Sequence, residues 1–161
     1  MSDIASTANG DQNKTTLRAR FVVLRSLLER VPFSFIQLAM RIAIGFVFFN
    51  SGMLKARSFE FAVKLFQDEY RLPLLPPDLA ARMALSVEIV VPLFLFAGLA
   101  TRLATLPLLG MVAIIQFLVY PQAWVEHLLW TSVLLVLLTR GAGVLSLDHL
   151  IERALARKRQ V

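Results

Sequence analysis

The chain contains no cysteine and only two histidines, and these scarcities exclude several kinds of site. Without thiols the chain cannot form a disulfide, relay electrons through cysteines or hold an iron–sulfur cluster by itself. The two histidines are predicted on opposite sides of a membrane, and on a helix His127 points about 100° away from its neighbour Glu126. No glycine-rich phosphate loop and no nucleophile elbow is present. The sequence therefore predicts no metal site and no complete catalytic set in the chain alone.

Charged residues are also scarce, at 17% of the chain, whereas hydrophobic residues make up 57% and the mean hydropathy is +0.67. That balance is too apolar for an ordinary soluble domain, and the apolar residues come in long blocks. The formal net charge is +6, but the positive residues gather at the ends of the apolar blocks. This is the positive-inside pattern of membrane proteins rather than a nucleic-acid-binding surface. We therefore expect an integral membrane protein that contacts lipid and binds no nucleic acid.

Four apolar runs are long enough to span a bilayer, which takes about 20 residues. They cover approximately residues 34–56, 79–99, 103–120 and 123–140. The sequence predicts an all-α integral membrane protein. Residues 34–145 are expected to form a bundle of four transmembrane helices. Residues 1–33 are predicted to be a disordered tail followed by a basic amphipathic juxtamembrane segment. Residues 146–161 are predicted to be a basic amphipathic tail that is capped by Ser146 or Asp148.

The distribution of Lys and Arg predicts the orientation of this bundle. Basic residues are concentrated before the first span, in the turn near Arg102, and from Arg140 to the end of the tail. The loop 57–79 carries a short predicted helix at about 59–70 and has more acidic than basic residues. Because Lys and Arg favour the cytoplasmic side of a membrane, both termini are expected in the cytoplasm.

Polar residues occur inside the apolar runs, and this orientation places them in the outer half of the bilayer. A charge at the centre of a spanning helix costs about 2.5–3.5 kcal/mol, so Glu88 must face the protein interior, find a partner or be neutral. Pro92 has no N–H and leaves the Glu88 carbonyl without its helical bond. A closed bundle would bury these residues in a polar pocket open to the outer face. Its predicted members are Asn50, Lys55, Arg82, Glu88, Gln116, Glu126 and His127.

Two alternatives stay open for these residues. Some of the side chains lie near helix ends and could simply reach interfacial water. These are Lys55, Arg82, Glu126 and His127. Glu88 and His127 are the candidates for a catalytic role, since an ionisable residue inside a membrane is a functional candidate. The sequence does not decide whether Glu88 transfers a proton or only pairs helices.

Three motifs resemble the DoxX family of small bacterial inner-membrane proteins, over roughly residues 35–150. They are RIAIGFVFFNSGMLK from Arg41 to Lys55, Glu88 followed by FAGLATR, and GAGVLSLD from Gly141. The stretch YPQAWVEHLLW further resembles a subgroup found with enzymes that modify small metal-related peptides. The resemblance implies a multi-pass protein of the bacterial inner membrane, in which Arg102 and Asp148 could pair and lock the inner helix ends. The matching structural positions are Arg41, Gly45, Gly52, Gly98, Arg102, Gly141, Gly143 and Asp148.

The resemblance implies an accessory or anchoring subunit of a redox system or of a metal and oxidative-stress system, with a protein partner there. The family name comes from a membrane subunit linked to thiosulfate oxidation with quinone, so a quinone-linked oxidoreductase subunit is one alternative. A small transporter or channel that uses the polar residues as its path is another. No cofactor is evident in the sequence itself, and quinone is the one that the resemblance allows. The cysteines of redox relatives have no counterpart here.

Overall fold

A computed structural model of the protein covers most of the chain. The residues that it describes are 29–158 and, before them, 20, 22–23 and 25–26. Most of the predicted tail and juxtamembrane segment therefore lies outside the described residues. The chain forms two compact units, Met1–Phe33 and Ser34–Val161. All of the predicted pocket and motif residues belong to the second unit.

The described residues form helices and no strand, as the predicted all-α fold requires. In chain order the helices are α1 (Phe33–Arg57), α2 (Phe59–Leu65) with a π-helical turn (Phe66–Tyr70), α3 (Pro77–Ala97), α4 (Thr101–Ile114) with a π-helical turn (Ile115–Val119), α5 (Trp124–Arg140) and α6 (Leu147–Lys158). Helix α2 and its π-helical turn form the short helix that the sequence predicts in the loop 57–79.

Among the described residues, three helices are long and apolar enough to cross a membrane, namely α1, α3 and the combined helix Thr101–Val119. Helix α5 has 17 residues. At about 1.5 Å per residue it is about 26 Å long, slightly less than a hydrocarbon core of about 30 Å. The helices thus identify a membrane protein, and the fourth span stays a prediction.

The four long helices share two ends, which we name by their turns. At the Gly98 end, α1 begins, α3 turns into α4, and α5 ends. At the Tyr120 end, α1 ends, α3 begins, and α2 and the turn before α5 meet. The turn between α3 and α4 begins at Gly98. Two of its residues, Gly98 (φ 64°) and Ala100 (φ 47°), have left-handed backbone conformations. Glycine adopts that conformation without strain, which explains its place directly after α3.

Apolar side chains from α1, α3, α4 and α5 meet in one buried layer. Its members are Ile44, Phe48, Leu95, Ala104, Leu108, Val112, Leu134 and Leu137. Two glycines let α1 approach α3 closely beside this layer. A Cβ at Gly52 would lie 2.9 Å from the Cβ of Glu88, and one at Gly45 would lie 2.5 Å from the Phe96 ring. The small residues on α1 thereby bring its polar side chains next to those of α3.

Candidate functional site

A cavity of about 520 Å³ lies between the long helices, from the buried layer to the Tyr120 end. Its walls come from α1, α3, α4 and α5 and from the π-helical turn after α2, and they are mainly apolar. The side chains with polar groups that line it are Ser51, Lys55, Tyr70, Glu88, Tyr120, Glu126, His127 and Trp130. Pockets of about 300–1,000 Å³ are typical of small-molecule sites. The cavity therefore has the size and composition of a ligand site.

Glu88 is paired with Lys55 of α1 inside this cavity. Lys55 Nζ lies 2.8 Å from Glu88 Oε2 and 2.9 Å from Oε1, and the two side chains are only 10% and 5% exposed. Ser51 joins the pair: its hydroxyl accepts an N–H from Lys55 at 2.9 Å and donates to Glu88 Oε1 at 3.3 Å. The ammonium group thus donates to Ser51 and to Glu88 Oε1, while Oε2 contacts it as an ion and has no hydrogen bond of its own.

Local sequence explains why these groups meet. Ser51 and Lys55 are four residues apart and therefore lie on one face of α1. Gly52 sits between them and admits α3, since its absent Cβ would lie 3.0 Å from the Glu88 carbonyl carbon. Pro92, four residues after Glu88, is buried within α3 and offers that carbonyl no N–H. Additional hydrogen bonds make a buried ion pair more tolerable, and Ser51 supplies one to each partner here.

His127 is the second buried polar group of the cavity, with 4% of its surface exposed. Its Nδ1 lies 2.7 Å from the side-chain oxygen of Gln116. The orientation of that amide is set by Gln116 Nε2, which donates to the Pro121 carbonyl at 3.0 Å. Because an amide oxygen only accepts, Nδ1 of His127 carries a hydrogen. This bond leaves Nε2 as the ring nitrogen that does not contact Gln116.

Two tyrosines close the cavity at the Tyr120 end. The rings of Tyr70 and Tyr120 contact edge to face, with centroids 5.7 Å apart. The Tyr120 hydroxyl donates to the carboxylate of Glu69, which ties the π-helical turn after α2 to the end of α4. Burial raises the pKa of Tyr70, and the hydrogen bond to Glu69 raises the pKa of Tyr120 well above its ordinary value.

The structure brings together most of the predicted pocket residues. Lys55, Glu88 and His127 line the cavity from buried positions, and Glu126 lines it from an exposed one. Gln116 does not line the cavity and acts on it only through His127. Lys55 and His127 are both largely removed from solvent, and the choice between a pocket role and an interfacial position stays a prediction.

Asn50 and Arg82, by contrast, do not line the cavity. Asn50 is exposed on α1. Arg82 is exposed on α3, pairs with Asp78 at 2.9 Å and lies 5.0 Å from the centroid of the Phe59 ring. These two residues are therefore separate from the polar group that surrounds Glu88, and for Arg82 the interfacial alternative fits its exposure.

The cavity also contains residues that the sequence analysis does not single out for it. They are Ser51, Tyr70, Tyr120 and Trp130. Ser51 has a signal in the sequence, because it precedes Lys55 by four residues on the same helical face. Tyr120 indicates only the end of a span, and its contact with Glu69 joins positions 51 residues apart. No local pattern predicts such a contact.

Arg41 is the centre of a second polar cluster, which fills the Gly98 end. It is fully buried and donates to the carbonyls of Leu95, at 3.3 Å, and Leu145, at 2.5 Å. Its guanidinium packs against Gly98, where any added Cβ would overlap it. Arg41 therefore joins α1 both to the end of α3 and to the segment that follows α5.

The segment after α5 is attached to the first turns of α1 at further points. Gln37 donates to the carbonyl of Gly141 at 2.9 Å, and the Val144 N–H donates to the hydroxyl of Ser34 at 3.1 Å. A Cβ at Gly143 (φ 82°) would lie 2.5 Å from the side-chain oxygen of Gln37. The two glycines of the GAGVLSLD motif thus lie where the backbone passes directly over α1.

Asp148 joins the tail to the turn between α3 and α4. Its carboxylate accepts the N–H groups of Ala100, at 2.6 Å, and Thr101, at 3.0 Å. The predicted pairing of Asp148 with Arg102 is therefore wrong, because the carboxylate binds the backbone at the start of α4. N–H groups there lack helical partners, and the helix dipole favours a negative charge. The Arg102 side chain lies beside Gly141 instead, while Ser146 caps α6 by accepting a backbone N–H.

Comparison with known proteins supports the resemblance of the motifs. A protein of Haemophilus influenzae described as uncharacterized is 28% identical over 131 residues, which cover 75% of this chain and 86% of that protein. No solved structure matches the chain. The family model of DoxX matches residues 36–121, which run from the first turn of α1 to the turn before α5. Because that match covers more than half of the 161 residues, the chain belongs to the DoxX family.

Proposed function

We propose that the chain is a membrane-embedded accessory subunit of a redox system and that it binds a quinone in the cavity. One observation carries the proposal: an apolar cavity of about 520 Å³ contains a buried Lys55–Glu88 pair and a buried His127. A quinone has an apolar, lipid-soluble body and two carbonyl oxygens. It therefore fits apolar walls with a few polar groups at fixed positions.

His127 is the residue that we assign to a quinone carbonyl. The hydrogens of the Lys55 ammonium already contact Ser51 and Glu88. His127 binds Gln116 through Nδ1, so its protonated ring would donate from Nε2 to a carbonyl oxygen. Reduction of a quinone takes up two electrons and two protons. His127 would deliver one of these protons from Nε2, solvent at the Tyr120 end would supply the second, and the Lys55–Glu88 pair would fix the charge around the ring.

A partner protein must supply the electrons for this reaction. The chain has no cysteine, and the described residues contain no group of three or more side chains placed to hold a metal ion. We therefore assign the chain an accessory role beside an oxidoreductase of a thiosulfate-oxidising system or of a metal and oxidative-stress system. The partner would dock on the cytoplasmic face of the protein.

We further propose four spans in a bacterial inner membrane, with both termini in the cytoplasm. Three helices are long enough by themselves, and a local thinning of the bilayer would accommodate the shorter α5. Exposed basic residues at the Gly98 end support its cytoplasmic position. They are Arg102, Arg140, Arg153, Arg157 and Lys158.

A transporter or channel receives less support from the same geometry. The cavity ends at the buried layer, which contains Phe48, Leu108 and Leu134. Beyond that layer, Arg41 and its carbonyl partners fill the Gly98 end. A path across the protein would require both regions to open, whereas a cavity closed at one end suits a bound ligand.

The fluorescence of Trp130 provides a test of quinone binding. Trp130 lines the cavity, and the other tryptophan of the chain, Trp124, is exposed and can be replaced. A Trp124→Phe protein in lipid nanodiscs is titrated with short-chain ubiquinone and with a menaquinone analogue. We expect saturable quenching that His127→Gln weakens about tenfold or more, since a buried hydrogen bond is lost. The matched control is Arg82→Gln, which lies outside the cavity and should leave the affinity unchanged.

Two outcomes of this titration would count against the proposal. If neither quinone gives saturable quenching in a protein with an unchanged helical circular dichroism spectrum, the cavity is not a quinone site. If His127→Gln and Arg82→Gln weaken binding equally, His127 has no specific role. A Glu88→Gln protein that binds quinone normally and unfolds at a lower temperature would leave Glu88 with a structural role alone.

A further inference from the structure

Within the described residues, helix α6 is fixed to the bundle only at its beginning. The N–H of Asp148 donates to the carbonyl of Gly98 at 2.9 Å. Its carboxylate accepts the N–H groups of Ala100 and Thr101. These bonds hold the first turn of α6 at the level where the apolar helix α3 ends and α4 begins. Because α3 and α4 are long enough to cross a membrane, that level is a boundary of the bilayer.

The remainder of α6 has one apolar and one polar face. Its apolar residues recur at three- and four-residue intervals, so they form a continuous stripe. They are Leu147, Leu150, Ile151, Ala154 and Leu155. Nothing in the described part of the protein covers this stripe, since Leu150 is 59% and Leu155 is 56% exposed. On a helical projection, Arg153 and Arg157 border the stripe on the side away from Asp148, and Lys158 ends it.

We infer that α6 lies in the headgroup region of an anionic bilayer, with its apolar stripe in the acyl boundary and its basic residues on lipid phosphates. Two features favour this occupant over a protein. The Asp148 attachment keeps the stripe at the bilayer boundary, where lipid is always present beside it. Arginines along one edge of an apolar stripe complement anionic headgroups, which is typical of helices that lie in the membrane interface.

This binding site is independent of the quinone cavity and adds a role for the tail. The lipid holds α6 parallel to the membrane surface and presents its opposite face to the cytoplasm. That face carries the exposed residues Glu152 and Ala156. A partner protein would therefore meet a surface whose position depends on the charge of the surrounding lipid.

The absence of cysteine makes this inference directly testable by spin labelling of the full chain. Single cysteines replace Leu150, Leu155, Glu152 or Ala156 in separate proteins, which are labelled and reconstituted into vesicles. The vesicles contain phosphatidylcholine alone or with phosphatidylglycerol. In anionic vesicles we expect labels at 150 and 155 to be accessible to oxygen and protected from a water-soluble nickel chelate. Labels at 152 and 156 should show the opposite pattern.

Charge dependence separates anionic lipid from a simple apolar contact. The three basic residues are neutralised together by Arg153→Gln, Arg157→Gln and Lys158→Gln. In anionic vesicles the ratio of lipid-inserted to free α6 should then fall roughly a hundredfold, at about fivefold per basic residue. The control is Arg57→Gln, Lys64→Gln and Arg71→Gln, which neutralises exposed residues at the Tyr120 end and should change nothing.

Three results would contradict the inference, the third of them only in its requirement for an anionic headgroup. In the first, labels on both faces of α6 are equally accessible to the nickel chelate in anionic vesicles. In the second, the labels at 150 and 155 are protected from both reagents, because a protein surface covers the stripe. In the third, α6 inserts equally with and without phosphatidylglycerol, which would show that the site does not recognise an anionic headgroup.

Discussion

The ammonium group of Lys55 and the carboxylate of Glu88 are both almost completely removed from solvent. Such a pair loses most of its hydration on folding, and its mutual attraction mainly offsets that loss. Its effect is therefore to specify how α1 packs on α3 more than to add net stability. Gly52 contributes to this specificity, because a larger residue there would prevent the close approach at which the pair forms.

Substitution of one partner of this pair should be far more harmful than substitution of both. Lys55→Met leaves Glu88 buried without its cation and should cost about 3 kcal/mol or more. In a chain of this size that loss lowers the unfolding temperature by about 6–12 °C. The double change Lys55→Met with Glu88→Met should recover much of it, as measured by thermal circular dichroism in detergent. Costs that simply add in the double mutant would show that the two residues are not coupled.

Two glycines within the spanning helices should respond to alanine in opposite directions. A Cβ at Gly110 of α4 would meet nothing within 4 Å, so Gly110→Ala should stabilise the helix by about 0.5–1 kcal/mol. A Cβ at Gly52 would lie 2.9 Å from the Glu88 Cβ, so Gly52→Ala should force the helices apart and destabilise the protein. Thermal unfolding of the two variants measures both effects. Equal shifts of the same sign would contradict the proposed role of Gly52.

At the scale of secondary structure elements, α2 and its π-helical turn pack on α3 at the Tyr120 end, where Phe66, Ala80 and Ala81 are buried. The π-helical turns after α2 and α4 bring Tyr70 and Tyr120 into contact above the cavity. The bond from Tyr120 to Glu69 is the polar part of this contact. The attachment of the α2 segment therefore has an apolar part and a polar part, and both are separate from the buried layer.

Removal of the Tyr120 hydroxyl should lower stability at neutral pH and matter less at high pH. Tyr120→Phe loses one hydrogen bond at a partly exposed site, worth about 1 kcal/mol, or about 2–4 °C. The pKa of Tyr120 is raised in the folded protein. The stabilisation is therefore complete below the unfolded-state pKa of about 10 and is lost as pH rises above it.

Unfolding temperatures of both proteins between pH 7 and pH 11 measure this difference. Tyr70 is present in both proteins, and burial, the main cause of its raised pKa, is common to them, whereas its interaction with the Tyr120 hydroxyl is lost in the variant. The gap between the curves should be constant below about pH 9 and narrow above pH 10. A gap that widens above pH 10 would show that Tyr120 ionises more easily in the folded protein than in the unfolded chain.

At the scale of the whole molecule, the sequence predicts the features that repeat along a helix. The apolar runs predict α1, α3 and α4 to within a few residues, and depth in an apolar run is enough to mark Glu88. The target of Asp148 is not predictable in this way. The sequence offers Arg102 as an obvious partner, whereas the actual partners are backbone N–H groups that a tight turn exposes. Contacts made by loops depend on backbone conformation, which side-chain patterns do not encode.

The cavity shows the same limit for the candidate site. Lys55, Glu88 and His127 are recognisable because a polar side chain in an apolar run is conspicuous. The space between them depends on small residues such as Gly110 and on the volumes of neighbouring side chains. The periodicity of apolar residues in the sequence does not predict that space. Asn50 is polar in the same kind of run but faces outward, since its position on α1 turns it away from Glu88.

Arg41 has a consequence for biosynthesis. Its guanidinium is buried and donates to two carbonyls, that of Leu95 in the last turn of α3 and that of Leu145 after α5, which is 104 residues from Arg41. A nascent chain that contains only α1, α3 and α4 lacks the second carbonyl, and an incompletely paired arginine in a dry interior is costly. We therefore expect the Gly98 end to close only after the segment that follows α5 has been made.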